Sequence, residues 1–69
     1  MKPNLTKLER ELVGLVKRRA RNVAACRGKP SEKGARLAAE AAVAALTAAG
    51  HGELARRTYA KAEAEAERS

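Results

Sequence analysis

Lysine and arginine side chains provide the main chemical capacity of this 69-residue chain, and several of them repeat at helical spacing. At about 100° per residue, one face of a helix would carry Lys7, Arg10, Lys17, Arg18 and Arg21. Arg27 and Lys29 extend the basic character beyond that helix. Such cations bind phosphates and release counterions, which gives affinity for nucleic acid without reading its sequence. We therefore predict a nucleic-acid contact at these residues, with an acidic protein surface as the alternative partner.

The basic charge is concentrated in the first half of the chain. Residues 1–36 hold 11 Lys and Arg against 3 Glu, residues 37–69 hold 4 against 5, and the formal net charge is +7. This asymmetry favours a negatively charged partner, although a basic face that is merely solvated is an alternative without one. Tyr59 is the single aromatic residue, and the only side-chain amides are Asn4 and Asn22. We do not expect strong recognition of base sequence, because that needs several aromatic or amide side chains.

Residues that could support catalysis or bind a metal are few. The chain contains no Asp, and its Glu residues are scattered or lie in the tail Glu63, Glu65 and Glu67. Cys26 and His51 together supply too few ligands for a closed zinc site, and no pair of carboxylates is placed for acid–base work. A lone Cys cannot form an internal disulfide, which favours a reducing compartment. We predict a protein that is not an enzyme and has no metal or cofactor.

Three helices are predicted to position the cations, spanning residues 5–26, 32–49 and 53–67. Thr6 and Glu9 fit a capping box at the start of helix 1, and Gly28 ends that helix. Ser31 is the expected N-cap of helix 2, which Gly50 ends. No segment shows the alternation typical of a strand. The prediction is an all-α chain, a small three-helix unit in which a long basic helix packs on an antiparallel αα-hairpin of helices 2 and 3.

Helix 1 carries one apolar stripe opposite its basic face. The stripe comprises Leu5, Leu8, Leu12, Leu15, Val16, Val23 and Cys26. Arg19 falls within it, so we expect Arg19 to pair with Glu40, to pair with a Glu of another subunit, or to extend to the surface. Gly14 interrupts the polar face, where it either admits a partner's backbone or is an indifferent surface residue.

Helix 2 is apolar nearly all round, which favours a place between helices 1 and 3 or in a self-association interface. Seven Leu and four Val, with no Ile, Phe or Trp, make a small core, so an oligomer or a partner is expected to add buried surface. The residues predicted at such an interface are Arg19, Leu37, Val43 and Leu46. The alternative function is therefore a protein–protein interaction module, such as a small regulator, inhibitor or assembly subunit.

Other features bear on the location and origin of the chain. No apolar signal-peptide region follows Lys2, and the uncharged run of residues 41–52 is too short to span a membrane. We expect a single cytoplasmic domain over residues 1–69 with no membrane association. The bias towards Ala, Arg, Gly and Glu is typical of a GC-rich genome and suggests a bacterial or phage source.

The segment around the second turn resembles two known helical motifs. Gly50, Ala55, Tyr59 and Ala62 are spaced as in the second half of a tetratricopeptide repeat, but the preceding half departs from that pattern. Residues 45–59, with Arg56 and Arg57 on the second helix, resemble a helix-turn-helix except at His51, where an aliphatic residue is usual. We interpret both as the packing pattern of a helical hairpin.

Overall fold

A computed structural model describes residues 4–68 and arranges them as three packed α-helices. The helices are α1 (Lys7–Ala25), α2 (Glu32–Ala48) and α3 (Gly52–Arg68). Their ends lie within two residues of the predicted ones. No strand occurs between residues 4 and 68, which confirms the all-α prediction for that range. None of these three helices combines the length and the apolar character that a membrane crossing requires.

The start of α1 is confirmed, whereas the start of α2 differs from the prediction. The Thr6 N–H donates to Glu9 Oε1 at 2.9 Å, and the Glu9 N–H donates to Thr6 Oγ1 at 3.1 Å. Ser31 occupies the N-cap position of α2, but its side chain makes no capping bond. Its φ of −76° and ψ of −7° are helical, whereas a capping residue is extended. Glu32 Oε1 instead accepts the Gly28 N–H at 3.0 Å.

Two glycines in the left-handed region follow α1 and α2, as their positions predict. Gly28 has a φ of 80° and Gly50 a φ of 96°. The Gly50 N–H donates to the Thr47 carbonyl at 2.9 Å, and the His51 N–H donates to the Leu46 carbonyl at 3.1 Å. These bonds satisfy carbonyls at the end of α2 and turn the chain towards α3.

Side-chain contacts at both ends of α1 show that α1 and α3 run in the same direction. His51, which precedes α3, has Nε2 at 3.1 Å from Glu9 Oε2 near the start of α1. Arg27, which follows α1, lies 2.6 Å from Glu63 near the end of α3. The two helices pack directly against each other along their length. The expectation that helix 2 lies between helices 1 and 3 is therefore wrong.

The core lies along α1 and is built mainly from small side chains. Its buried members form two clusters, Val16 with Ala42, Leu46 and Ala55, and Val23 with Ala35 and Ala39. Tyr59 is partly buried and packs against both clusters. Leu46, Val16 and Val23 are the largest fully buried side chains. The core is held by close approach of alanine-rich surfaces around a few larger residues.

Two large residues are placed differently from the predictions. Leu46, predicted at a partner interface, is fully buried because it faces α1 and α3. Leu8, predicted in the core stripe, is 66% exposed. Leu15 lies only about 20° around the helix from Leu8 and is partly buried against the core, so the position of Leu8 near the start of α1, rather than its face, distinguishes it. Leu37, on the side of α2 opposite Leu46, is 59% exposed, as an interface residue would be in the free chain.

Candidate nucleic-acid interface

An open groove runs between α1 and α3 and is bordered on both sides by cations. Its volume is about 900 Å³. α1 contributes Arg10, Lys17 and Arg21, and α3 contributes Arg57 and Lys61. The three predicted cations of this set therefore lie in one groove. Two others join them from the half of the sequence that is almost neutral.

Helical spacing explains why these side chains line up. Arg10, Lys17 and Arg21 are separated by seven and four residues, which places them within about 40° of one another on α1. Arg57 and Lys61 are four residues apart on α3. Because α1 and α3 run in the same direction, the two rows lie side by side. The row on α1 spans about 16 Å at 1.5 Å per residue.

The groove combines its basic borders with an apolar floor. The other lining residues are Asn4, Leu5, Val13, Leu54, Thr58, Ala62 and Glu65. Asn4, Leu5 and Leu54 mark the end near the start of both helices, and Glu65 lies towards the other end. Thr58 is buried, at 9% exposure. An anion in this groove would therefore meet five cations over most of its length and a carboxylate near one end.

The sequence interpretation missed Arg57 and Lys61. Their four-residue spacing, on the face that also carries Leu54, is a signal that they flank the packed side of α3. Arg57 makes an ion pair with Glu53 at 2.9 Å, but the two side chains are 71% and 82% exposed. Exposed pairs of this kind contribute about 0–1 kcal/mol to stability. The Arg57 guanidinium can therefore leave Glu53 and bind an anion that interacts with it more strongly.

The other predicted binding residues divide into free and paired cations. Lys7 and Arg18 are exposed on α1 beside the groove, and Lys29 is exposed in the connection between α1 and α2. Arg27 lies 2.6 Å from Glu63 and 3.0 Å from Glu67. These two carboxylates already neutralise Arg27, so it is a structural contact between the ends of α1 and α3 and a poor candidate for binding phosphate.

Arg19 extends to the surface, one of its three expected placements. It is exposed, and none of the ion pairs found between residues 4 and 68 includes it. The pairing with Glu40 is absent, and Glu40 is exposed on α2. Val43, predicted at an interface, is half-buried. Of the predicted interface residues, Leu37 and Arg19 are the exposed ones.

A second, smaller groove lies between α2 and α3, away from the basic one. It is lined by Arg36, Glu40, Val43, Ala44, Arg56 and Tyr59. Partial burial raises the pKa of Tyr59 above its usual value of 10.0. The single aromatic ring of the chain therefore lies outside the basic groove, where it is unable to stack on a ligand bound between α1 and α3.

Cys26 and His51 lie at opposite ends of α1. Cys26 Sγ is 3.7 Å from Asn22 Oδ1 at the helix C-terminus, whereas His51 pairs with Glu9 near the N-terminus. The Thr6 N–H, and then His51, lower the pKa of Glu9 below its usual value of 4.5. Within residues 4–68, no three His, Cys, Asp or Glu side chains lie close enough together to hold a metal ion.

No protein-family model, no curated protein and no solved structure matches this chain.

Proposed function

We propose that this protein binds nucleic acid through the groove between α1 and α3, contacts the phosphate backbone without strong sequence readout, and acts by binding rather than by catalysis. One observation carries the proposal: five cations from two helices line the same groove. The formal charge of +7 adds a long-range attraction for polyanions.

The chemistry of the groove supports backbone contacts over base contacts. Guanidinium and ammonium groups bind phosphate oxygens and displace condensed counterions, and neither step depends on base identity. Asn4 is the one side-chain amide in the groove lining, and no aromatic ring lies there. A ligand that presents regularly spaced phosphates satisfies the two rows of cations, whereas a small neutral ligand does not.

The test compares two double variants that each remove two positive charges. Arg57→Gln with Lys61→Gln removes the α3 side of the groove, and Arg56→Gln with Lys33→Gln removes one exposed Arg and one exposed Lys outside it. Affinity for a fluorescent oligonucleotide is measured by anisotropy over a range of salt concentrations. The groove variant should bind about tenfold more weakly at low salt. The slope of the logarithm of its binding constant against the logarithm of salt concentration should be smaller in magnitude by about 2.

The control variant should lose only the effect of a lower net charge, which is small and sequence-independent. Equal losses in both variants would show that the whole surface attracts nucleic acid and that the groove is not a site. Absence of binding by the unmodified protein at low salt would refute the proposed function itself.

A second candidate is self-association through the outer face of α2, supported by the 59% exposure of Leu37. Residues 41–50 contain no charged side chain, so this face offers an uncharged surface next to Leu37. The proposal includes the antiparallel arrangement of α2 and α3, which would present that face outwards. Sedimentation at high salt tests it: an oligomer that Leu37→Lys dissociates supports this function, and a monomer at all concentrations contradicts it.

A further inference from the structure

Gly14 lies in the middle of α1, where glycine destabilises a helix relative to alanine. Nothing in the structure requires it. A Cβ built at this position meets no atom within 4 Å, and the backbone is not in the left-handed region. The residue is exposed and contacts neither α2 nor α3. Packing within the chain therefore gives no reason for the absence of a side chain here.

The cations of α1 surround this position. Five of the six lie three, four or seven residues from Gly14, which on a helix places them on its own face within two turns: Lys7, Arg10, Lys17, Arg18 and Arg21. Only Arg19 does not. Arg10, Lys17 and Arg21 are on the side of the groove, and Lys7 and Arg18 are on the opposite shoulder. Gly14 is thus the low point of a surface that carries three cations on the groove side and, on the other side, Lys7 and Arg18 with Glu11 between them.

The width of this surface distinguishes between forms of nucleic acid. Cations extend from Arg57 and Lys61 on α3, across the groove, to Lys7 and Arg18 on the far shoulder of α1. On α1, Lys7 and Arg18 lie about 40–100° around the helix from the cations that line the groove, so the basic surface continues beyond the groove. A single phosphodiester strand would fill the groove and leave the shoulder unused. A duplex presents two phosphate strands on either side of a groove about 6 or 12 Å wide, and it would engage both.

Stacking chemistry favours the same choice. Proteins that bind single strands usually stack bases on aromatic side chains. Tyr59 lines the other groove, between α2 and α3, so the basic surface has no such platform. This surface has cations in the groove and on the Lys7 and Arg18 shoulder, with Gly14 between them. That arrangement fits the two phosphate strands of a double helix.

We infer that the ligand is double-stranded, with one phosphate strand in the α1–α3 groove, the other on the Lys7 and Arg18 shoulder, and its closest approach to α1 at Gly14. This inference rests on the proposed function. DNA and RNA duplexes share the required backbone chemistry, and separate binding measurements with each one show which the surface prefers. A substitution with a bulky side chain at Gly14 should obstruct either.

The experiment uses Gly14→Leu and, as a matched control, Gly34→Leu. Gly34 is also an exposed helical glycine with nothing within 4 Å of its built Cβ, but it lies on α2. Leucine favours helix at both sites, and circular dichroism verifies that both variants fold. Anisotropy is measured with duplex DNA, duplex RNA and a single strand of the same length, all at low salt.

We expect the unmodified protein to bind at least one duplex about tenfold more tightly than the single strand. Gly14→Leu should lose about tenfold in duplex affinity, while Gly34→Leu should match the unmodified protein. Tighter binding of the single strand, or equal affinity in the two variants, would overturn the inference and leave the proposed function standing. Failure of every oligonucleotide to bind would refute the proposed function instead.

Discussion

At the scale of single residues, Glu9 joins two separate parts of the chain. Its Oε1 accepts the Thr6 N–H at 2.9 Å and caps α1, while its Oε2 lies 3.1 Å from His51 Nε2 in the turn before α3. Both contacts favour the ionised carboxylate, with the backbone bond the larger cause of its lowered pKa. One side chain therefore couples the start of α1 to the start of α3.

The lowered pKa predicts how stability depends on pH. A carboxyl whose pKa is depressed in the folded state stabilises the fold above its unfolded value, and the stabilisation disappears as pH falls through the folded value. The Glu9 contacts should therefore contribute less to the thermal midpoint of the unmodified protein as pH falls below about 4.5. Glu9→Gln should start from a lower midpoint at neutral pH and show a weaker dependence.

The matched control is Glu11→Gln, since Glu11 is exposed on the same helix and its side chain makes no hydrogen bond or ion pair within residues 4–68. Its pH profile should follow that of the unmodified protein. Parallel profiles for the Glu9 and Glu11 variants, measured by circular dichroism, would contradict the role assigned to Glu9.

Residue placements were mostly predictable where one helix decides them, Ser31 at the start of α2 being an exception, and unpredictable where two helices do. The Thr6–Glu9 capping box is a local pattern, and the structure contains it. The pairing of Arg27 with Glu63 joins residues 36 positions apart, so no local pattern contains it. Leu8 belongs to the apolar stripe of α1 by its spacing, but spacing does not show which turns of α1 the neighbouring helices cover.

At the scale of elements, α2 carries apolar residues on two opposite faces with different roles. Leu46 is fully buried against α1 and α3, whereas Leu37 is 59% exposed. The hydrophobic pattern of α2 alone makes these two leucines equivalent, because both faces are rich in alanine. The structure separates them: Leu46 stabilises the chain itself, and Leu37 is available to a second molecule.

Paired alanine substitutions test this separation. Leu46→Ala should lower the free energy of unfolding by about 2–5 kcal/mol, because it removes a buried side chain and leaves a cavity. Leu37→Ala should change it by less than about 0.5 kcal/mol at low protein concentration. Urea denaturation followed by circular dichroism measures both. A comparable loss in the two variants would show that Leu37 is buried in solution, as in an obligate oligomer.

Helix existence and bounds followed from the sequence because Gly, Pro and capping residues act locally. The mutual arrangement of the helices did not, since it depends on which of several similar alanine-rich faces pack together. The expected position of helix 2 between the others relied on its apolar character. The small side chains of helix 2 can pack against a neighbour in many directions. Its apolar character therefore does not specify which helices lie on either side of it.

At the scale of the whole molecule, the candidate site arises only when α1 and α3 lie side by side. The charge asymmetry of the sequence indicated α1, and the three groove cations on that helix were predicted. The nearly neutral second half of the chain concealed Arg57 and Lys61, because the acidic residues of α3 balance them in any count of net charge. Their contribution becomes visible only when the parallel packing of α1 and α3 places both rows on one groove.

A groove built from cations is expected to lower the stability of the free protein. Lys17 with Arg21, and Arg57 with Lys61, are like charges four residues apart, and such pairs destabilise a helix by about 0.2–0.5 kcal/mol each.

Salt screens exposed charges, so the thermal midpoint should rise between low and physiological ionic strength while affinity for nucleic acid falls. Arg21→Gln, which removes a cation whose charged neighbours on the helix, Lys17 and Arg18, are both basic, should gain about 1–4 °C at low salt and lose affinity. Arg27→Gln, which removes an attractive contact with Glu63 and Glu67, should lose stability and keep its affinity. If Arg21→Gln lowers the midpoint, or if salt leaves the midpoint of the unmodified protein unchanged, the cations of the groove do not repel one another and their arrangement does not lower the stability of the free protein.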